Sequence, residues 1–442
     1  MFAALNLVVF VLLTGYAFIT LISKPSYVKL SKKEKVLLTG REKFLLLTLV
    51  TGMVQVGGVS IGLNLSAWRL LIWMGMILMA FLLYRRSPHF NNLAVIYIVF
   101  IVWLLVSLAW TDNVGFGLRA SLKYIYPLLI LLFAITFVRS KDFIFVLMKW
   151  MIISAFVYSL FLGGFAKIFF GLFFYLGGVF WPAATLADYL GIASGLSYLL
   201  WWRTKEKKYL LLIGWFFMSS VFDSVRTGLI AIFVVFTVAS YLRYRAASIP
   251  YIVLVIFLAI SSVVFIPQIR EKMFFDPTEV TSISDLGEVS TAQINSNGRF
   301  AMWAWALQEY YYENEFTGTG IGVLQERMYS GNHPFGDMKI IHNDYVQILC
   351  DVGLIGLFLY LAFVIYATRI SNRYVRKKIP EYLSNSAFLV VVSFAGVLAT
   401  MMTDNVVNYA FAVHSYPFAF VGILIAYRKI YKQEKYVERN QQ

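Results

Sequence analysis

Apolar runs of about 20 residues, the length that carries a helix across a bilayer, recur from one end of the chain to the other and are separated by short polar clusters. They predict an all-α integral membrane protein with helices over residues 1–22, 44–62, 66–84, 91–109, 120–138, 143–160, 185–202, 208–222, 227–242, 249–267, 346–368, 386–403 and 409–427. That makes about 13 spans, with 12 to 14 as the range, since the shortest runs fall below the usual length. Residues 163–182 fit a re-entrant helix, an interfacial helix or a further span equally well. The exception to the rhythm is residues 268–345, which stay polar for far longer than a passive connector. The chain therefore divides into N-terminal transmembrane helices (1–267), a large external loop with short helices (268–345), and C-terminal transmembrane helices with a basic tail (346–442).

Charge sets the orientation. Basic clusters at Lys24 to Lys43, Arg85 and Arg86, Arg139 and Lys141, Arg203 to Lys208, Arg243 and Arg245, Arg369 to Lys378 and Arg428 to Lys435 alternate with less basic connections, as the positive-inside rule requires of cytoplasmic loops. The first 22 residues lack a basic leader and a cleavage motif, so they read as a retained helix whose amino terminus is outside. The 268–345 loop holds 11 of the chain's 23 acids against five basic residues, which places it on the external face.

Composition agrees: 60% of residues are hydrophobic and 14% charged, against about a quarter charged in soluble domains, and the mean hydropathy is +0.73. The net charge of +15 is thus topological, and a nucleic-acid partner is not expected. A single cysteine, Cys350, excludes a disulfide framework and a cysteine metal site. No Asp-x-Asp pair and no Gly-Lys-Ser/Thr loop occur, so neither a metal bound by such a pair nor ATP hydrolysis is expected, and no cofactor is implied.

Three ionisable residues on the external face carry candidate chemistry. Arg226, in Ser-Val-Arg-Thr-Gly at a span junction, reads either as a helix-end anchor or as a two-point fork for phosphate oxygens beside a small-residue turn. Arg299 follows Ser296 and Asn297, the expected N-caps of a loop helix; a cation in a first turn opposes the helix dipole unless an anion binds there. His342 precedes the apolar run that re-enters the membrane; it reads either as a capping residue or as a general base, a role open to imidazole near neutral pH. Polar residues held against a membrane face are functional candidates.

The order of Ser224-Val225-Arg226-Thr227, Gly298-Arg299 with Trp303, Gly318-Thr319-Gly320-Ile321-Gly322, and His342-Asn343 before Gly353-Leu354-Ile355-Gly356 resembles the O-antigen ligase and O-antigen polymerase superfamily. The detailed resemblance covers roughly residues 220–360, and the many-span architecture extends it. It implies a glycosyltransferase of the bacterial cytoplasmic (inner) membrane, inverting and metal-independent, with its site on the periplasmic or extracellular face. Donor and acceptor would be lipid-linked glycans, the donor an undecaprenyl-diphosphate-linked oligosaccharide. Its partners would be membrane lipid and polysaccharide export or chain-length regulator proteins. By the same resemblance Arg226 and Arg299 hold the diphosphate and His342 activates the acceptor hydroxyl, with these three as the catalytic residues.

Asp223 and Asp344 are candidate orienting groups beside the arginine and the histidine, while Arg119, Lys123, Arg69 and Lys167 are candidates to line the donor route. Asp188 and Asp404 lie near outer span ends without an assigned role. In the loop, Tyr310, Tyr311 and Tyr312 are the expected glycan surface, and Trp303 and Trp305 the expected core. Polymerisation of lipid-linked repeat units is the leading expectation. Ligation of a finished glycan to lipid A core or another surface acceptor is the alternative, and a glycolipid flippase or transporter is the alternative of another class, which would place its ionisable groups near the bilayer midplane.

Overall fold

The computed structural model describes every residue except 1, 31–33, 55–59, 62, 163–182, 223–225, 266, 277, 279, 281, 283, 288, 291–292, 376–378 and 442. The segment 163–182, with Lys167, and Asp223 thus lie outside the described residues.

Helix α1 (Phe2–Ile22) leads into an antiparallel hairpin, β1 (Ser26–Lys29) with β2 (Lys35–Leu38), then α2 (Gly40–Val50). Helices α3 (Leu65–Leu83), α4 (Asn92–Val106), α5 (Val114–Phe137), α6 (Phe143–Leu162), α7 (Ala183–Thr204), α8 (Lys207–Phe222), α9 (Arg226–Tyr244) and α10 (Ile249–Phe265) follow. The polar loop contributes α11 (Pro267–Met273), α12 (Arg299–Tyr310) and α13 (Val323–Ser330). The chain closes with α14 (Asp344–Val375), α15 (Glu381–Thr400) and α16 (Ser415–Gln441).

Among the described residues, seven helices are long and apolar enough to cross a membrane: Leu65–Leu83, Asn92–Trp110, Val114–Phe137, Phe143–Phe161, Arg226–Ser248, Asp344–Val375 and Glu381–Thr400. Each overlaps an expected span, and the protein is a predominantly helical, multi-pass membrane protein with two short β pairs. Most of the other expected spans fall on helices that are shorter or more polar, so the expected 13 exceeds the seven that meet both criteria.

The expected span 44–62 is corrected outright. Helix α2 stops at Val50, because the next twelve residues include Gly52, Gly57, Gly58 and Gly62, poor helix formers, and a short β pair follows at Ser60–Ile61 and Leu63–Asn64. Buried Arg69 donates to the carbonyls of Thr51 (2.9 Å) and Val54 and lies 4.5 Å from the Phe411 ring centroid. It thereby caps the carbonyls released where α2 ends.

The bundle centre is built on α5, α15 and α16, and residues Ser415–Tyr427 of α16 are buried throughout, as a helix apolar on every side should be. Small residues bring α7 and α9 together: a Cβ added at Gly228 would lie 2.4 Å from Ala187 Cβ.

The feature that positions the site is a break in α14. Gly353 has φ 67° and ψ −169°, so the helix is two pieces that meet at a non-helical residue. The loop fills the break. Thr319 and Gly320 donate their backbone N–H groups to the carbonyls of Cys350 and Asp351 (both 2.9 Å), and the Trp103 indole donates to Val352 O (3.0 Å). On the other side, Leu354 and Ile355 donate to Glu315 O (2.8 Å) and Phe316 O (3.2 Å). The groups orphaned by the break are thus paired, as buried backbone must be. Close backbone approach explains the Gly-x-Gly-x-Gly sequence: a Cβ at Gly318 would lie 2.5 Å from the Asp351 carbonyl carbon, one at Gly320 2.7 Å from Thr111 Cα, and one at Gly322 2.9 Å from Gly117 N.

Gly353→Ala is expected to be one of the most damaging single substitutions away from the candidate site. Its Cβ would lie 2.3 Å from Phe316 backbone atoms, in a conformation nearly confined to glycine, and the backbone strain alone costs about 1–3 kcal/mol. Thermal unfolding in detergent should show a clearly lowered midpoint; an unchanged midpoint would mean that the break is not required.

Candidate active site

Arg299 is the first residue of α12, and Arg226 lies in α9. Arg226 Nη1 donates to Asn295 O at 2.9 Å, which ties α9 to the loop just before α12. Arg299 Nη1 donates to Thr403 O at 2.6 Å, which ties the start of α12 to the connection after α15. The two guanidinium groups are close enough to act on each other. Burial lowers the Arg299 pKa most, the Asp404 carboxylate raises it, and the like charge of Arg226 lowers it again.

The expected N-caps of α12 are corrected. The capping position is Gly298, at φ 76° with no side-chain cap bond. Ser296 Oγ accepts from Phe300 N at 3.4 Å, and Asn297 takes φ 52°. A left-handed turn is required there, which glycine meets at no steric cost and asparagine at little.

His342 reaches the same 403–405 segment. Its Nδ1 lies 3.2 Å from Asp404 Oδ1, and its side chain keeps 28% of its surface exposed while that of Asp404 keeps 3%. The Asp404 carboxylate also accepts from Asn405 N (2.8 Å) and from the Tyr409 hydroxyl (3.1 Å), so it is fixed by several donors. With Nδ1–H donating to Asp404, the free lone pair of the imidazole is on Nε2. The His342 backbone is left-handed, φ 54°, and is held by its N–H donating to Asn405 Oδ1 at 2.6 Å. A strained backbone held by its surroundings is characteristic of functional positions. Asn343 caps the helix that follows, accepting from Tyr345 N and Val346 N at 3.0 and 3.1 Å.

The carboxylate on the imidazole is therefore Asp404, not the expected Asp344. Buried Asp344 accepts from Asn405 Nδ2 (3.1 Å) and Val407 N (3.1 Å), and Asn405 Nδ2 donates also to Gln347 Oε1 (2.7 Å). It acts through the 405–407 segment that in turn holds His342. Asp188, fully buried on α7, is close enough to interact electrostatically with Asp404 and Asp344, and neither of its oxygens has a hydrogen-bond partner among the described residues.

The remaining candidates divide. Lys123 donates to Asn408 Oδ1 (2.5 Å) and Gln325 Oε1 (3.1 Å), so it braces α5 against α13 and the 406–409 turn that carries Tyr409. Exposed Arg119 lies 5.6 Å from the Phe116 ring centroid. No group of three or more His, Cys, Asp or Glu side chains that could hold a metal ion occurs among the described residues. Sequence reasoning gave no role to Asp404, Asn405 and Tyr409. The signal was present as Thr403-Asp404-Asn405, a polar triplet between two apolar runs.

These residues bring two cations and a carboxylate-supported imidazole to the loop end of the bundle. Such a set can hold an anionic leaving group and accept a proton. Residues 221–361 match the family model described as O-antigen ligase. The matched stretch contains Arg226, Arg299 and His342, whereas Asp404 lies beyond it. No curated protein matches the chain.

Proposed function

We propose that this chain, whose residues 221–361 match the O-antigen ligase family model, belongs to the O-antigen ligase and polymerase superfamily and is an inverting membrane glycosyltransferase that polymerises polyprenyl-diphosphate-linked glycan repeat units, of the kind used in cell-envelope polysaccharides. The observation that carries the reading is the meeting of Arg299 and the Asp404-supported His342 on one short segment, 403–405, with Arg226 close enough to Arg299 to interact with it. Arg299 stands at the start of its loop helix and not at mid-helix, which favours an interfacial enzyme over a transporter with a midplane site. The basic clusters favour placing this end of the bundle outside the bacterial cytoplasmic membrane, where the lipid tail stays in the bilayer while its head group reacts.

In the proposed step, His342 Nε2 removes the proton of an acceptor sugar hydroxyl as that oxygen forms a bond to the donor's anomeric carbon. The bond from that carbon to the diphosphate oxygen breaks on the opposite face, and the configuration inverts. The leaving polyprenyl diphosphate gains negative charge, which the two guanidinium groups offset through paired donors. Asp404 is the positioning residue: it fixes the imidazole tautomer and stabilises the protonated ring. This arrangement asks nothing of a divalent cation.

Transfer of a finished glycan to lipid A core or another surface acceptor is the second reading, favoured by the description of the matched family as ligase. Both reactions break the same bond. Purified protein given only a polyprenyl-diphosphate oligosaccharide is expected to produce a ladder of longer lipid-linked glycans, and to do so equally in EDTA. Single-step transfer that appears only when a separate acceptor is added would replace the polymerase with the ligase. Activity abolished by EDTA and restored by magnesium would overturn the metal-independent mechanism.

A further inference from the structure

Beyond the residues that hold the diphosphate and the proton, the first turn of α12 presents an aromatic pair beside both. Phe300 follows Arg299 directly and is 39% exposed. Its ring meets Trp303, one turn on, at 5.4 Å between centroids and 65° between planes. Trp303 is held in turn by its indole N–H donating to Ile341 O at 2.8 Å, one residue before His342. The pair is thus fixed between the residue after a phosphate-binding arginine and the residue before the base. An exposed phenylalanine supported edge-on by a hydrogen-bonded tryptophan offers a rigid apolar face with few rotors to freeze.

The tyrosine triplet expected to bind glycan stands at the other end of α12. Tyr310 packs on Trp305 at 5.4 Å within the loop's own core, roughly 16 Å along the helix from Arg299 at 1.5 Å per residue. That is too far for the sugar attached to a diphosphate at Arg299.

We propose that Phe300, backed by Trp303, is a substrate-contacting residue on whose face the first sugar of the donor, the one bonded to the diphosphate, stacks. The inference rests on the proposed function, because it takes a diphosphate at Arg299 as its fixed point. One side of a pyranose ring presents C–H groups, which suit the negative face of an aromatic ring, while its hydroxyls remain free for polar contacts. The face would therefore select for a sugar on the lipid without reading which hydroxyls it carries.

The test compares binding of two probes to the full-length purified protein: bare polyprenyl diphosphate and the same lipid carrying one sugar. Phe300→Leu keeps an apolar side chain but removes the flat face, and Phe300→Tyr keeps the face. The leucine variant is expected to bind the sugar-bearing lipid about three- to tenfold more weakly, the scale of one aromatic contact, with bare-lipid affinity unchanged. The tyrosine variant should match wild type on both probes, which also controls for folding. Equal loss on both probes with leucine would make Phe300 a support for Arg299 or a membrane anchor, and no loss on either would leave it without a ligand role; each result overturns the proposal. A wild-type protein that binds neither lipid would instead remove the diphosphate reading on which it rests.

Discussion

Transfer by a His342→Ala enzyme is expected to fall by about a hundredfold or more, the usual scale for losing a general base, while binding of polyprenyl-diphosphate donor stays close to wild type. The two effects separate because, in the proposed site, the donor's charge falls on Arg226 and Arg299 and the acceptor's proton on the imidazole. Asp404→Asn should follow the same pattern in weaker form, about ten- to a hundredfold in turnover. An amide can still accept from Nδ1–H but cannot stabilise the charged ring. Turnover and donor binding measured on the same preparations check this. If His342→Ala keeps full turnover, the histidine leaves the mechanism and stabilisation of the departing diphosphate becomes its main term.

Arg226→Lys is expected to lower turnover by about a hundred- to a thousandfold, the cost of losing one well-placed donor to developing charge. Charge is not the issue, since lysine keeps it. The planar fork is, because a guanidinium can meet two phosphate oxygens at once and an ammonium offers a single point. This substitution also tests the structural alternative. If Arg226 only joined α9 to the loop, a lysine donor to Asn295 O would suffice and activity would remain near normal. The same exchange at Arg299, which is bonded to Thr403 O, should behave alike.

The sequence-level reading was strongest where physical chemistry is local. Apolar runs bounded by basic clusters predict the seven long helices because every backbone group in a span must pair within it. The failures come from contacts between distant residues. Nothing local to residues 44–62 shows that Arg69 will take the carbonyls freed where α2 stops. Hydropathy averages across Gly353 without registering its left-handed backbone. At the site, Asp344 was expected to orient His342 from proximity in sequence, whereas Asp404, 62 residues away, makes the contact.

The loop segments that fill the break in α14 are stitched to it from both sides, and the contact continues to α4 through Trp103 and to Thr111, whose hydroxyl donates to Ile321 O at 3.1 Å. The stretch between Arg299 and His342 is therefore not a separable module. A chimera that swapped this stretch alone for that of another transferase would leave the carbonyls of Cys350 and Asp351 facing an unmatched surface. To change substrate by exchange, the graft would have to carry three pieces together: the neighbourhood of residues 103–117, the loop from 299 to 342, and the half-helix that ends at Gly353.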